Sequence, residues 1–352
     1  MVLATLHNRP WTRRTDQMKL GFLTACLPAL PLDEIAAWAA EHDYQALEVA
    51  TWPVGNRDSA AAHLDVAHFG QADADRVRAL IDRHGLELSA FAYYENNLHP
   101  DEHRRAEIAT HLRHTIDAAS LLGVPYVGTF IGRDPDRTVK ENIALAEKEL
   151  PQLVDYASER GVKITIENCL MTEWHPDGYP GNLAYSPELW EWMFSLGLHL
   201  NYNPSHLIWQ GIDPVEALRR YVDHIPHAQA KDTQLDPVRR NRHGVFGKSI
   251  ERDDPWDNSW WPNRIPRFSD LDWRHIADRV ENDGPWHNGW WRHRIPGLGD
   301  INWRRIVDTL YEGGFTGVLS VEHEDPVWSG NEKKVKDGLR LAHRTLRPLI
   351  LT

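Results

Sequence analysis

The sequence predicts a single α/β domain, a (β/α)8 TIM barrel. Three observations carry that expectation. Short apolar runs alternate with longer helical segments from Lys19 onward. The apolar runs number eight, the count at which a parallel sheet closes on itself. No G-x-G-x-x-G follows the first run, which argues against an open dinucleotide-binding sheet.

The expected strands are 19–24, 46–50, 87–93, 126–130, 163–168, 198–203, 227–231 and 317–323. They are rich in Val, Ile, Leu and Ala, as strands buried on both faces must be. The helices between them are expected at 32–42, 73–84, 103–122, 139–160 and 187–196. Pro31-Leu32-Asp33-Glu34 opens the first, with acidic side chains in its first turn where the helix dipole favours them. Right-handed crossovers then place every strand parallel to its neighbour.

Composition narrows the function. The 352 residues are 41% hydrophobic and 26% charged, the balance of a globular chain. Lys and Arg total 39 against 51 Asp and Glu, giving a net charge of −12. That charge argues against a general binder of nucleic-acid backbone. No apolar stretch reaches the ~18–20 residues of a membrane span. Two cysteines, Cys26 and Cys169, are too few for a disulfide framework, and a reduced cytoplasmic setting is expected. The counts of 16 Trp and 20 His are high and suit a protein that handles small polar molecules.

Residues 1–18 are expected to be a flexible extension ahead of a start at Met18, with residues 19–350 forming the barrel domain. Arg13-Arg14 precedes an apolar run, Leu20–Leu32, of a length that suits an export signal. Pro28, Pro31 and the following Asp33-Glu34 break that pattern, and the same run is needed for the first strand.

In an α/β barrel the chemistry sits at the C-terminal strand ends. Strand three ends in Tyr93-Tyr94 and then Asn96-Asn97. Strand five ends in Glu167-Asn168, and strand six in Asn203-Pro204-Ser205-His206. Strand seven carries His227, Gln229, Lys231 and Asp232. Strand eight ends in Glu322-His323-Glu324-Asp325. A single strand-end Glu is most often a cap or an ion-pair partner. Four polar strand ends in consecutive units point to a shared site.

The segments ITIEN (164–168), NPSHL (203–207), HAQAKD (227–232), GLGDINW (297–303) and SVEHEDP (320–326), in this order, resemble the xylose isomerase-like sugar isomerase/epimerase barrels. That group includes ketose 3-epimerases, inositol-catabolism enzymes and the larger subunits of C-glycoside deglycosidases. The resemblance spans roughly residues 18–350. It implies one divalent ion, Mn2+ or Mg2+, on Glu167, Asn203, Gln229 and Glu322. Two of these positions depart from the family pattern: Asn203 stands where the family has Asp, and Gln229 where it has His. Asn and Gln still offer carbonyl oxygens, so an all-oxygen shell of reduced charge is expected. A degraded metal site is the competing expectation. His227, two residues from Gln229, faces the same way and is a substitute ligand one layer deeper.

The resemblance also implies the chemistry. Glu167 and Glu322 are the expected catalytic carboxylates, one removing a proton beside a sugar carbonyl and the other returning it. His206, Lys231 and Asn97 are expected substrate contacts, and Asp232 an orienting residue. Loss of a substituent after the same deprotonation would make a lyase that cleaves 3-keto C-glycosides. A phosphodiesterase of this barrel type would need more His ligands than can be placed at the strand ends, and the charge is wrong for it. A non-catalytic degenerate barrel is the remaining alternative. The expected partners are a sugar or glycoside substrate, further copies of the chain and, for the lyase, a smaller partner subunit. Neither nucleic acid nor a membrane is expected as a partner.

A long excursion, residues 233–310, separates strands seven and eight. It holds an internal duplication: 255–280 aligns with 285–310, identical at 13 of 26 positions. Only the second copy keeps Gly297 and Gly299; the first has Arg267 and Ser269 there. The Trp-rich insertion is either a surface elaboration or subunit contact, or a lid over the pocket. In the lid, Trp256, Trp260, Trp261, Trp286, Trp290 and Trp291 would form an aromatic wall. Arg264 and Arg294 would meet an anionic group or stack on the tryptophans. Trp290 and Arg294 are the substrate contacts expected from this segment.

Overall fold

The computed structural model describes residues 17–54, 61–176, 178–245 and 289–351. Eight parallel strands close into a barrel in the spatial order β1 (Lys19–Leu23), β10 (Val318–Val321), β7 (His227–Ala230), β6 (His199–Tyr202), β5 (Lys163–Glu167), β4 (Tyr126–Phe130), β3 (Glu87–Asn96) and β2 (Ala46–Ala50). Each expected strand is present, and β3 runs three residues further than expected. Closure is made by β1 on β10, with Leu20 opposite Leu319 and Phe22 opposite Val321.

The helices α1 (Leu32–Glu41), α2 (Gln71–Arg83), α3 (Glu102–Leu122) and α6 (Pro187–Ser195) fall close to expectation. The helix expected over 139–160 is two, α4 (Val139–Glu149) and α5 (Pro151–Ser158). Pro151 is the reason: it has no N–H to continue the ladder and instead opens the second helix at its first position. The turn α7 (Ser205–Ile208) and helices α8 (Pro214–Tyr221), α9 (Pro237–His243), α10 (Trp303–Glu312) and α11 (Glu332–Leu346) complete the described set. Of the apolar run 20–32, Leu20–Leu23 lie in β1, Thr24–Cys26 form a single 3-10 turn and Leu32 opens α1. No helix of the described residues is long and apolar enough to cross a membrane.

The core lies between the barrel and its helices. Phe22 on β1 meets Trp38 of α1 and Tyr44 edge-on, with ring centroids 5.9 and 4.9 Å apart. Each such aromatic side chain contributes on the order of 1.5–3 kcal/mol by leaving water. Inside the barrel, Gly128 on β4 makes room for Tyr94 of β3. A Cβ at Gly128 would stand 2.6 Å from the Tyr94 hydroxyl oxygen. That oxygen is a node of the polar network beneath the site.

One element escaped the sequence. After β7 the chain forms β8 (Asp232–Leu235), which pairs antiparallel with β9 (Trp291–Arg294). Asp232 pairs with Arg294 and Leu235 with Trp291, so the excursion leaves and returns at adjacent points. Asp232 fixes the return. Its carboxylate accepts from the backbone N–H groups of Gly297 (2.8 Å), Gly299 (3.2 Å) and Ile301 (3.1 Å) and from the Trp303 indole N–H (2.9 Å). A Cβ at Gly299 would meet an Asp232 carboxylate oxygen at 2.3 Å, and Gly297 has φ +91°. The second copy of the duplication can fill this socket; Arg267 and Ser269 bar the first copy from the same seat. Residues 1–16, the first copy (255–280) and 285–288 of the second lie outside the described residues.

Candidate active site

The C-terminal ends of β5, β6, β7 and β10 bring together Glu167, Asn203, Lys231 and Glu322, all buried. Asn168 ties the first two ends: its Nδ2 donates to the Asn203 carbonyl at 2.9 Å and its Oδ1 accepts from the Asn203 N–H at 2.7 Å. Asn203 then lies between the two carboxylates. Its Nδ2 donates to Glu167 Oε1 at 2.8 Å and to Glu322 Oε2 at 2.7 Å. The amide cannot be turned round without loss, because its Oδ1 accepts from the Ser205 backbone N–H (3.1 Å) and hydroxyl (2.7 Å).

Lys231, 1% exposed, is the cation of the cluster. Its Nζ is 2.8 Å from Glu322, 2.8 Å from Glu324 and 3.9 Å from Glu167. Burial works against its charge, yet the three carboxylates outweigh that and hold its pKa well above the ordinary range. Burial raises Glu167, against the pull of Lys231 and Asn203. Burial and the neighbouring Glu167 charge raise Glu322 further. Burial opposes ionisation of Glu324 too, but Lys231 and His293 bring its pKa below the usual value. Burial thus favours the protonated form of the Glu167–Glu322 pair, most of all at Glu322, while Lys231 and His293 favour the carboxylate form of Glu324.

His206 projects from α7, with Nε2 3.2 Å from Glu167 Oε1. Burial and the Lys231 charge hold it neutral. Its ring stands edge-on to His293 of β9 at 5.5 Å, and His293 to Trp291 at 5.0 Å. Trp291 stacks flat on Trp209, 4.6 Å between centroids with 6° between planes. These residues form the wall beside the carboxylates where Glu324 is partly open to solvent.

The excursion brings Trp291, one of the expected wall tryptophans, and His293 beside His206. Strand alternation turns Trp291 and His293 toward His206. The Trp290 indole N–H donates to the Val245 carbonyl at 2.9 Å, under the Arg240 guanidinium. Arg294 is bound to Asp325 (2.8 Å) and Gln234 (2.8 Å). Both are committed to holding β9 in place. Asn97 is pinned by Nδ2 to Thr129 (3.0 Å) and the Phe130 carbonyl (2.6 Å), leaving a buried Oδ1 with no hydrogen-bond partner.

The expected metal quartet does not assemble as oxygen ligands. Asn203 turns N–H groups, not its carbonyl, toward the carboxylates. Gln229 donates its Nε2 to Glu48 (3.1 and 3.4 Å) and the Tyr94 hydroxyl (3.1 Å), and its Oε1 is buried without a partner. His227 bonds Asn201 (3.0 Å) and Ser89 (3.2 Å), away from the carboxylates. Another trio has the spacing for a divalent ion. Glu167, Cys169 and His206 present ligand atoms within 4.8 Å of one another. Neutral His206 and Glu167 fit that role; burial and the Glu167 charge push the Cys169 thiol up, so a bound cation would have to displace its proton.

Sequence reasoning missed Glu324, His293 and the buried Glu48. Glu324 was legible as the residue two beyond Glu322. Glu48 sits in mid-strand in ALEVA, where only a buried partner reveals a purpose. Its carboxylate accepts from Tyr94 (2.6 Å), Gln229 and Ser320 (2.8 Å), and Asn201 joins through Tyr94 (2.7 Å).

Known proteins place this geometry. A family model for the xylose isomerase-like TIM barrel matches residues 36–345. An uncharacterized protein, YfiH, of Bacillus subtilis (strain 168) is 26% identical over 276 residues, 73% of this chain and 86% of that one. The structure of D-psicose 3-epimerase with D-tagatose from Clostridium cellulolyticum H10 superposes with a TM-score of 0.62 at 13% identity, covering 94% of this chain and 99% of the other. The structure of an IolI protein with a bound zinc atom gives 0.61 at 18% identity, covering 94% and 98%. By the extent of the family match and its eight-stranded closure, the chain belongs to the xylose isomerase-like TIM barrels.

Proposed function

We propose that this barrel moves a proton at the carbon beside a carbonyl of a sugar or related polyhydroxylated compound, as an isomerase or epimerase does. The observation that carries the reading is the Glu167–Asn203–Glu322 bridge. Two buried carboxylates share one amide, and burial favours the protonated form more strongly at Glu322 than at Glu167, which suits the first as an acid and the second as a base. Ionised Glu167 takes the C–H proton, and the C–H electron pair becomes the new C=C bond as negative charge moves to the carbonyl oxygen. Protonated Glu322 returns a proton to carbon on the other face. Glu167 ends protonated and Glu322 ionised, so the pair is restored by exchange with water or by reaction in reverse.

The unpaired acceptors support a hydroxyl-bearing substrate. Asn97 Oδ1 and Gln229 Oε1 are buried without partners, a costly state that hydroxyl donors of a ligand relieve. The stacked Trp209–Trp291 wall offers a flat apolar face to a sugar ring. It suits an aromatic leaving group equally, and this favours elimination from a 3-keto glycoside as the second reading, with the same first step. Incubation with ketoses and 3-keto glycosides in D2O tests both. Deuterium is expected at the carbon beside the carbonyl, with loss of the aglycone only if elimination follows. A panel without deuterium uptake, or uptake unchanged in Glu167→Gln, would remove the reading.

A further inference from the structure

We propose that Lys231 is the resident cation of this site, so that its ammonium, with the Asn203 amide, stands where relatives of this architecture place a divalent ion. The inference rests on the proton-transfer reading and deepens it. The two oxygens that face each other across the site are already taken. Glu322 Oε2 receives both the Lys231 ammonium (2.8 Å) and Asn203 Nδ2 (2.7 Å). Glu167 Oε1 receives Asn203 Nδ2 (2.8 Å), with His206 at 3.2 Å and Lys231 at 3.9 Å. A divalent ion on these oxygens would face an ammonium bonded to the same atom and two N–H hydrogens aimed at it. The Asn203 amide is locked in that orientation by Ser205.

The two departures from the family pattern now have one explanation. An Asp at position 203 and a His at 229 would serve an ion. Asn203 instead donates to both carboxylates, and Gln229 turns its Nε2 to Glu48 and Tyr94 below. The chain keeps a positive centre while removing one carboxylate from the shell. A fixed ammonium beside the reacting carbonyl stabilises the developing oxyanion by the same electrostatics as a metal, and it needs no loading. Glu324 secures it from the solvent side at 2.8 Å, so the ammonium is held from two directions.

Calorimetric titration decides this without any substrate. The whole chain, dialysed against EDTA, is titrated with MnCl2, MgCl2 and ZnCl2, alongside Asn203→Asp and the Lys231→Met/Asn203→Asp double variant. The parent is expected to show no stoichiometric binding below millimolar ion. The double variant should bind Mn2+ roughly tenfold or more tightly than the parent, since it trades an ammonium for a carboxylate. Should the double variant not fold, Asn203→Asp carries the comparison, with a smaller gain expected. One equivalent bound by the parent at micromolar ion, and lost in Glu167→Gln or Cys169→Ser, would overturn the proposal in favour of the Glu167–Cys169–His206 trio. Absence of any gain in the variants would overturn it as well. Proton exchange in D2O is a separate outcome: its failure would remove the proton-transfer reading and leave the titration result standing. Where exchange occurs, EDTA should leave its rate within about twofold, and Lys231→Met should lower kcat far more than it raises KM.

Discussion

Glu48 and Glu322 are both buried carboxylates in one barrel, and their surroundings differ in kind. Glu48 is met only by neutral donors, the Tyr94 and Ser320 hydroxyls and the Gln229 amide. The network continues through Asn201 to His227 and Ser89 and closes on itself. Glu322 shares a single ammonium with Glu167 and Glu324, leaving three carboxylates around one positive charge. In the first arrangement the carboxylate is met wholly by neutral donors and holds strands in register. The second is short of positive charge, burial favours protonation of Glu322, and that imbalance marks a site poised to react.

The sharpest break in this comparison is at the reactive cluster. Glu167→Gln and Glu322→Gln should each lower proton exchange by ~10²-fold or more, with circular dichroism and melting unchanged. Near-full activity in either variant would end the two-carboxylate mechanism. The opposite pattern is expected at the Glu48 cluster. Glu48→Gln turns an NH2 group toward donors that already need an acceptor. It should cost about 1–3 kcal/mol of stability by denaturant unfolding, with residual activity tracking the folded fraction.

A pH scan sharpens the contrast on the side of stability. Burial holds His199 and His323 to a pKa of about 4 in the fold, against an ordinary 6.5. Between those values the unfolded chain binds protons that the folded chain refuses, so stability falls as pH drops from about 6.5 toward 4. The melting temperature should decline across that window, and His199→Gln should flatten the slope; a flat parent profile would contradict the burial argument. The smallest effect is expected at the wall. Trp291→Ala removes a stacking face worth about 0.5–1.5 kcal/mol, so KM should rise several-fold while kcat holds.

The barrel was legible because its strands are apolar runs with punctuated ends, and each falls within three residues of its expected place. The break at Pro151 was visible in the residue and was overridden by the helical pattern around it. The β8–β9 pair was not legible, since Asp232 and Arg294 meet across a long excursion with no local signal. At the site, strand-end position alone brought Glu167, Glu322, His206 and Lys231 together. Residue type does not fix which way an amide points. The Ser205 N–H turns Asn203 from within the same NPSHL segment, whereas the Glu48 carboxylate, far from any motif, turns Gln229. Strand parity likewise selected Trp291 and His293 over Trp290 and Arg294, and parity requires knowing that 291–294 is a strand.

The Asp232 socket has a consequence for how this chain tolerates change. Leu235 and Trp291 are neighbours, and the second copy is clamped at Gly297, Gly299 and Trp303. Whatever length of chain lies between these fixed points, the barrel sees the same two ends. The duplication adds 30 residues to the stretch between Leu235 and Trp291 and roughly doubles its length. The entropy of closing a loop grows only with the logarithm of its length, so a doubling costs about 0.6 kcal/mol. The socket works as a cassette mount, in which new sequence can be inserted and tried beside the reactive carboxylates at almost no thermodynamic risk to the frame that holds them.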